Sequence, residues 1–284
     1  MTQSPEIGAT IVAAGIPTNV HDSGLDRGDG TVLLIHGSGP GVSAWANWRL
    51  TIPALSEHFR VVAPDVVGFG YTDRAVDAYD LPTWTAHVLG VLDALGIDRA
   101  HVVGNSFGGS LALSLAIHHP DRVRRLALMG SVGVPFAITP GLDAVWGYEP
   151  SVEAMRALLE IFTYAPNPHI DDLADMRYRA SIQPGFQESF ARMFPAPRQC
   201  ALDAITHDTE LVRGIQAPTL IVHGREDRVI PLASSLTLLD LIPDAQLHVF
   251  GQCGHWTQIE HAGEFNRLLV DFLRGPTSAG TTLR

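Results

Sequence analysis

Ser106 lies in the run Gly104-Asn105-Ser106-Phe107-Gly108. A serine hydroxyl is a poor nucleophile until a base takes its proton. Glycine two positions before and two positions after marks a turn too tight for side chains. Between a strand and a helix, Gly-x-Ser-x-Gly holds the serine in a strained conformation at a sheet edge. The positive end of the following helix then favours negative charge developing at the site. The chemistry is attack on a carbonyl. It needs a base, an acid that holds the base, and two donors for the oxyanion.

Thirteen histidines compete to be the base. His255, in Gln252-Cys253-Gly254-His255-Trp256, follows the last strand pattern and precedes the last helix, where a loop brings an imidazole over the serine. His118 and His119 end the helix after Ser106 and point away. His207 lies near the end of a helical insert. His223 and His248 lie in or beside strands, which suits packing or surface roles. His36 ends a strand beside a glycine-rich loop, but it precedes the serine in sequence; it is assigned support of that loop. The expected order is serine, acid, histidine. Arg225-Glu226-Asp227-Arg228 supplies two carboxylates after the strand 218–223. The oxyanion donors are read as the N–H of Phe107 and the N–H of Ser38, in His36-Gly37-Ser38-Gly39. The glycines 37, 39 and 41 are not a dinucleotide fingerprint, because Val42 stands where the third glycine belongs. Cys253 and His255 have no second ligand pair, so neither a metal nor another cofactor is implied.

These groups must be held by strands and helices. Short apolar runs at 31–35, 60–63, 100–103, 125–129, 218–223 and 245–250 predict strands. They alternate with helical patterns at 83–95, 111–117 and 262–273, which argues for a mostly parallel α/β sheet. Residues 11–14 and 18–21 read as an edge hairpin turning at Gly15-Ile16-Pro17. Gly96 suits the end of a helix. From 135 to 205 strand patterns vanish and helical stretches such as 152–162 and 171–180 appear between prolines. This predicts a helical cap at 135–205 inserted into a core domain of residues 1–134 and 206–284. The tail from Gly275 reads as frayed.

Composition excludes other classes. An apolar share of 46% suits a globular core, and a net charge of −11 argues against nucleic acid and anionic membrane partners. No apolar run approaches the roughly 18 to 20 residues that span a bilayer. The first ten residues lack a signal-peptide pattern. Cys200 and Cys253 make no disulfide framework. A cytoplasmic protein is expected.

The run from Gly224 to Asp227, followed by Pro231, resembles the acid loop of α/β-hydrolases. That resemblance selects Asp227 and leaves Glu226 as a surface charge. Gly37-Ser38-Gly39-Pro40-Gly41, Trp45-x-Asn47, Gly104-Asn105-Ser106-x-Gly108-Gly109 and Cys253-Gly254-His255-Trp256 together resemble the meta-cleavage product hydrolases. These cleave carbon–carbon bonds in aromatic catabolism. In the insert, residues 141–148 and 194–199 are similar to the branch acting on 2-hydroxymuconic semialdehyde. The resemblance runs from about Pro5 to Leu273 and implies an α/β-hydrolase fold and a homo-oligomer. It implies a dienoate substrate that ketonises, is attacked by serine or a serine-activated water, and breaks. It also implies substrate contacts from Asn47, Asn105, Arg177 and Trp256. The bland alternatives are a helix cap for Asn47, a solvated charge for Arg177 and plain core for Trp256. A carboxylesterase with the same triad is the rival activity, and a non-catalytic ligand-binding module is the rival class.

Overall fold

A computed structural model describes residues 4–24, 28–166 and 170–275. Eight strands form one sheet: β1 (Ala9–Ala13), β2 (Ile16–Asp22), β3 (Thr31–Ile35), β4 (Arg60–Pro64), β5 (Ala100–Asn105), β6 (Val123–Met129), β7 (Thr219–Gly224) and β8 (Ala245–Phe250). Their order is β1-β2-β4-β3-β5-β6-β7-β8. The pairs β1–β2 and β2–β4 are antiparallel, and all others are parallel. This is the predicted mostly parallel sheet.

Strand geometry explains the apolar runs. Successive side chains point to opposite faces, so a strand covered on both sides is apolar throughout. In β3, Leu33 and Ile35 join a core with α3 (Leu81–Ala94) and α4 (Phe107–His118). Val32 and Leu34 join the opposite core with α1 (Ala44–Trp48), α2 (Ile52–Ser56) and the last helix.

Between β6 and β7 the described residues form helices only: α5 (Pro140–Trp146), α6 (Val152–Phe162), α7 (Ile170–Ser181), α8 (Phe186–Met193), α9 (Gln199–Ala204) and α10 (Thr209–Arg213). After β7 come α11 (Leu232–Leu241), α12 (Thr257–Glu260) and α13 (Ala262–Arg274). No described helix is long and apolar enough to cross a membrane.

The edge hairpin forms, but its turn lies one step earlier than expected. Ala13 pairs with Ile16, so Ala14-Gly15 is a two-residue turn with φ of 49° and 82°. Two positive φ values match the strand twist at such a turn. Ile16 and Pro17 therefore belong to β2, and Pro17 lies outside the β2–β4 ladder. Gly96 follows α3 at φ 65°, as anticipated. Helix α4 starts at Phe107 rather than 111, because Gly108, Gly109 and Ser110 hide its apolar period. The tail expected to fray lies, after Gly275, outside the described residues.

Candidate active site

Ser106 is the hinge between β5 and α4, with φ 54° and ψ −115°. A residue with a side chain takes this conformation only when its surroundings enforce it. Here they do. A Cβ on Gly104 would strike the Gly108 carbonyl, and one on Gly108 would strike the Ile35 carbonyl. The Ser106 N–H donates to the Met129 carbonyl at 2.9 Å. The spacing of the two glycines is thus a packing requirement.

His255 and Asp227 meet from two loops. His255 Nδ1 donates to Asp227 Oδ2 at 2.7 Å, with both side chains at most 2% exposed. Asp227 Oδ1 accepts the amides of Val229 and Ile230 at 2.7 and 2.9 Å. Burial pushes the Asp227 carboxyl up, but the charge and hydrogen bond of His255 and the amide bonds outweigh it. The net shift is downward, so Asp227 is ionised at neutral pH. With Nδ1 donating, Nε2 is the basic nitrogen of a neutral His255. Both His255 and Ser106 line one cavity.

His223 packs behind this pair. Its Nε2 donates to the Ile230 carbonyl at 3.0 Å and lies 3.5 Å from Asp227 Oδ2. The packed alternative considered for His223 is therefore the observed one, and the packing is against the acid's loop. Glu226 is not merely a surface charge. It pairs with Arg225 at 2.7 Å and also accepts the Cys253 amide at 3.0 Å, tying the acid loop to the histidine loop.

The glycine-rich loop after β3 faces the same cavity. His36 Nδ1 donates to the Gly37 carbonyl at 2.6 Å, and His36 Nε2 accepts the Val66 amide at 2.9 Å. Both bonds require a neutral ring, and burial lowers its pKa to about 4. The Phe107 N–H belongs to the first turn of α4, where amides have no intrahelical acceptor. Ser38 lines the cavity, and its Oγ accepts the Trp146 indole N–H at 2.9 Å. The loop's glycines admit α7: a Cβ on Gly41 would strike the Arg177 carbonyl, and one on Gly39 would crowd the Arg177 guanidinium.

The cavity is narrow. One end is polar. Asn47 Oδ1 lies 3.5 Å from the Gly37 amide, while its buried Nδ2 has no partner. Ser43, not Asn47, caps α1. Asn105 Nδ2 donates to the Met129 carbonyl at 3.2 Å. Arg177 is 3% exposed, so the solvated alternative does not hold. Its Nε and Nη2 donate to the Pro40 carbonyl at 3.2 and 3.0 Å. Burial lowers the guanidinium pKa to about 10, which leaves it cationic at neutral pH. Attraction to the Glu6 carboxylate opposes that fall, but among the described residues Arg177 makes no ion pair. Trp256 stacks on Phe162 at 4.5 Å and receives the Arg177 cation over its face at 5.3 Å. Leu142, Val145 and Val229 add apolar side chains to the lining.

All nine residues singled out from sequence are brought to this cavity or directly behind it. Trp146 and Phe162 have no role in the sequence reading. Trp146 stood inside a quoted motif, and Phe162 closes a helical apolar stripe, but neither spacing showed what each would touch. Burial keeps the Cys253 thiol protonated by raising its pKa, so it is no rival nucleophile. No group of three or more potential metal ligands occurs among the described residues.

A family profile described as alpha/beta hydrolase fold matches residues 30–262. The 2-hydroxymuconate semialdehyde hydrolase of Pseudomonas sp. strain CF600 is 60% identical over 95% of both chains. The 2-hydroxy-6-oxo-2,4-heptadienoate hydrolase of Pseudomonas putida F1 is 57% identical over 94% of this chain and 96% of its own. A meta-cleavage product hydrolase of Pseudomonas fluorescens IP01 was solved as a serine-to-alanine variant complexed with acetates. It superposes with a TM-score of 0.92 at 57% identity, covering 95% of this chain and 98% of the other. The fold and the elbow define an α/β hydrolase. Within that class the chain belongs to the meta-cleavage product hydrolases.

Proposed function

We propose that the chain hydrolyses the C–C bond of 2-hydroxymuconic semialdehyde and close 2-hydroxy-6-oxohexa-2,4-dienoates. The products are 2-hydroxypenta-2,4-dienoate and a carboxylic acid, formate for the semialdehyde. The observation that carries this reading is Arg177: a buried cation with no ion pair among the described residues, in the same cavity as Ser106 and His255. A neutral ester has no use for such a group. A dienoate supplies the missing anion, and a planar guanidinium fork suits a carboxylate or enolate.

In this reading the dienoate's carboxylate end lies toward Arg177, Asn47 and Asn105, against Trp256. Its carbonyl lies between Ser106 and the N–H groups of Ser38 and Phe107. The dienol first ketonises, moving a proton from the 2-hydroxyl oxygen to C5. Ser106 Oγ, or a water that it activates, then attacks C6 while His255 takes the proton and Asp227 steadies the imidazolium. The C5–C6 electron pair leaves into the 2-oxo enoate as a dienolate, which is protonated. One water is consumed. No cofactor takes part.

The relatives named for the semialdehyde and for 2-hydroxy-6-oxo-2,4-heptadienoate, 60% and 57% identical to this chain, support hydrogen or methyl rather than phenyl at the scissile carbonyl. Residues 135–205 act as a cap over the core formed by 1–134 and 206–284. The enzyme works on a small molecule as a cytoplasmic homo-oligomer. The test compares specificity constants for dienoates bearing hydrogen, methyl and phenyl at C6 with that for a neutral aryl acetate. Hydrogen and methyl should lead. A preference for the ester would replace this reading with a carboxylesterase.

A further inference from the structure

The end of α6 is bound to the loops that carry the acid and the base. The His255 N–H donates to the Phe162 carbonyl at 2.7 Å. Arg228, next to Asp227, donates to the carbonyls of Glu160 and Thr163. These carbonyls end a helix and lack intrahelical donors, so a cation is favourable there. Gly254 is pressed on the same segment, since a Cβ there would lie 2.6 Å from the Phe162 oxygen.

Glu260, the last residue of α12, joins both sides. Its Oε1 accepts the Gly254 amide at 2.7 Å. Its Oε2 accepts the amides of Tyr164 at 2.7 Å and Ala165 at 3.3 Å. One carboxylate therefore takes donors from the residue before His255 and from the two residues that follow Thr163. Hydrogen bonds to an ionised acceptor are about twice as strong as neutral ones. Between these anchor points lies Phe162, stacked on Trp256 at 4.5 Å and beside the His255 ring at 5.8 Å.

We infer that Glu260 is a positioning residue that clamps the Phe162–Ala165 strap of the helical insert onto the loop bearing His255. It touches no substrate. It keeps Phe162 over Trp256 and keeps the histidine loop in register with the strap. The inference rests on the proposed reading, in which His255 is the base and Phe162 a wall of the substrate cavity.

The test uses the full chain and the variants Glu260→Ala, Glu260→Gln, Phe162→Ala and the double variant Glu260→Ala/Phe162→Ala. Glu260→Ala should lower kcat/KM on 2-hydroxymuconic semialdehyde about tenfold, the scale expected when reacting groups are slightly misplaced. Glu260→Gln keeps one acceptor oxygen and should recover part of that loss. The clamp acts partly through Phe162, so the two alanine effects should combine to less than their product. Amide hydrogen exchange reads the clamp without turnover: Glu260→Ala should raise exchange at 162–165 and 253–256 together. Glu260 variants within twofold of wild type, fully multiplicative effects, or unchanged exchange in either segment overturn the inference. Absence of dienoate turnover in the wild type would instead sink the proposed function, while exchange still decides the clamp.

Discussion

On the sheet side of the cavity, Ser106, its two glycines and the Phe107 amide are sequence neighbours. Their placement follows from one strand-to-helix turn. On the insert side, Trp146, Phe162 and Arg177 come from three helices, and each reaches the sheet side by a small number of bonds. Trp146 donates to Ser38, Arg177 donates to Pro40, and Phe162 accepts from His255. The first side is shaped by backbone sterics and the second by contacts between distant segments. In the proposed function this divides the work: one side carries bond making, and the other recognises which carbonyl compound is present.

Ser106→Ala attacks the sheet side at its centre and should have the largest effect. Turnover of dienoate and aryl ester alike should fall by about 10⁴-fold or more, as when a nucleophile is removed from a triad. The melting temperature should change little, because alanine occupies the same turn. Progress curves on both substrates at high enzyme concentration check this. A variant retaining a tenth of wild-type turnover would remove Ser106 from the chemistry.

Arg177→Ala should separate the two sides. Dienoate kcat/KM should fall about 10²-fold, the scale of one lost charge-assisted contact, while aryl ester hydrolysis stays within a few-fold. Arg177→Lys should fall between, since an ammonium keeps the charge and loses the fork. Parallel losses on both substrates would mean that Arg177 merely supports the glycine-rich loop at Pro40, and the contrast between the sides would collapse.

The same contrast governs what could be read from the chain. Ser106, His255 and the loop of Asp227 sit at strand ends whose apolar runs stand out, and the elbow's glycines are required by local collisions. The bounds of β3, α6 and β8 were legible for that reason. Trp146 and Phe162 look like any residue of a helical apolar stripe. Their roles depend on Ser38 and Trp256, about 100 residues away in the chain, and periodicity carries no record of such pairs. The hairpin turn was misplaced because Gly15 and Pro17 both signal turns, and alanine at positive φ is no signal at all. Arg177 entered by family resemblance alone, although Leu173, Ala174, Ala180 and Ser181, three and four positions away, set it on the buried face of α7.

The smallest effect concerns how the sheet side is held, and it is a matter of pH. His36 grips the glycine-rich loop only as a neutral ring: it donates to Gly37 and accepts from Val66. Burial holds its folded pKa at about 4, against 6.5 for an exposed imidazole. As pH falls from 6.5 toward 4 the unfolded chain takes up a proton that the folded state refuses. Stability therefore drops with falling pH across that window, by about 2 kcal/mol at pH 5 from this residue. His87 has the same burial and a pKa of about 4, so it adds to the slope. His36→Gln keeps one donor and one acceptor but does not titrate. It should be less stable than wild type at pH 7.5, yet lose less of its melting temperature between pH 7 and pH 5. Thermal melts across that range check the difference. Parallel pH slopes for the two proteins would mean that the ring is not held neutral, and the sheet-side loop would then owe its shape to its glycines and to Trp146 from the insert.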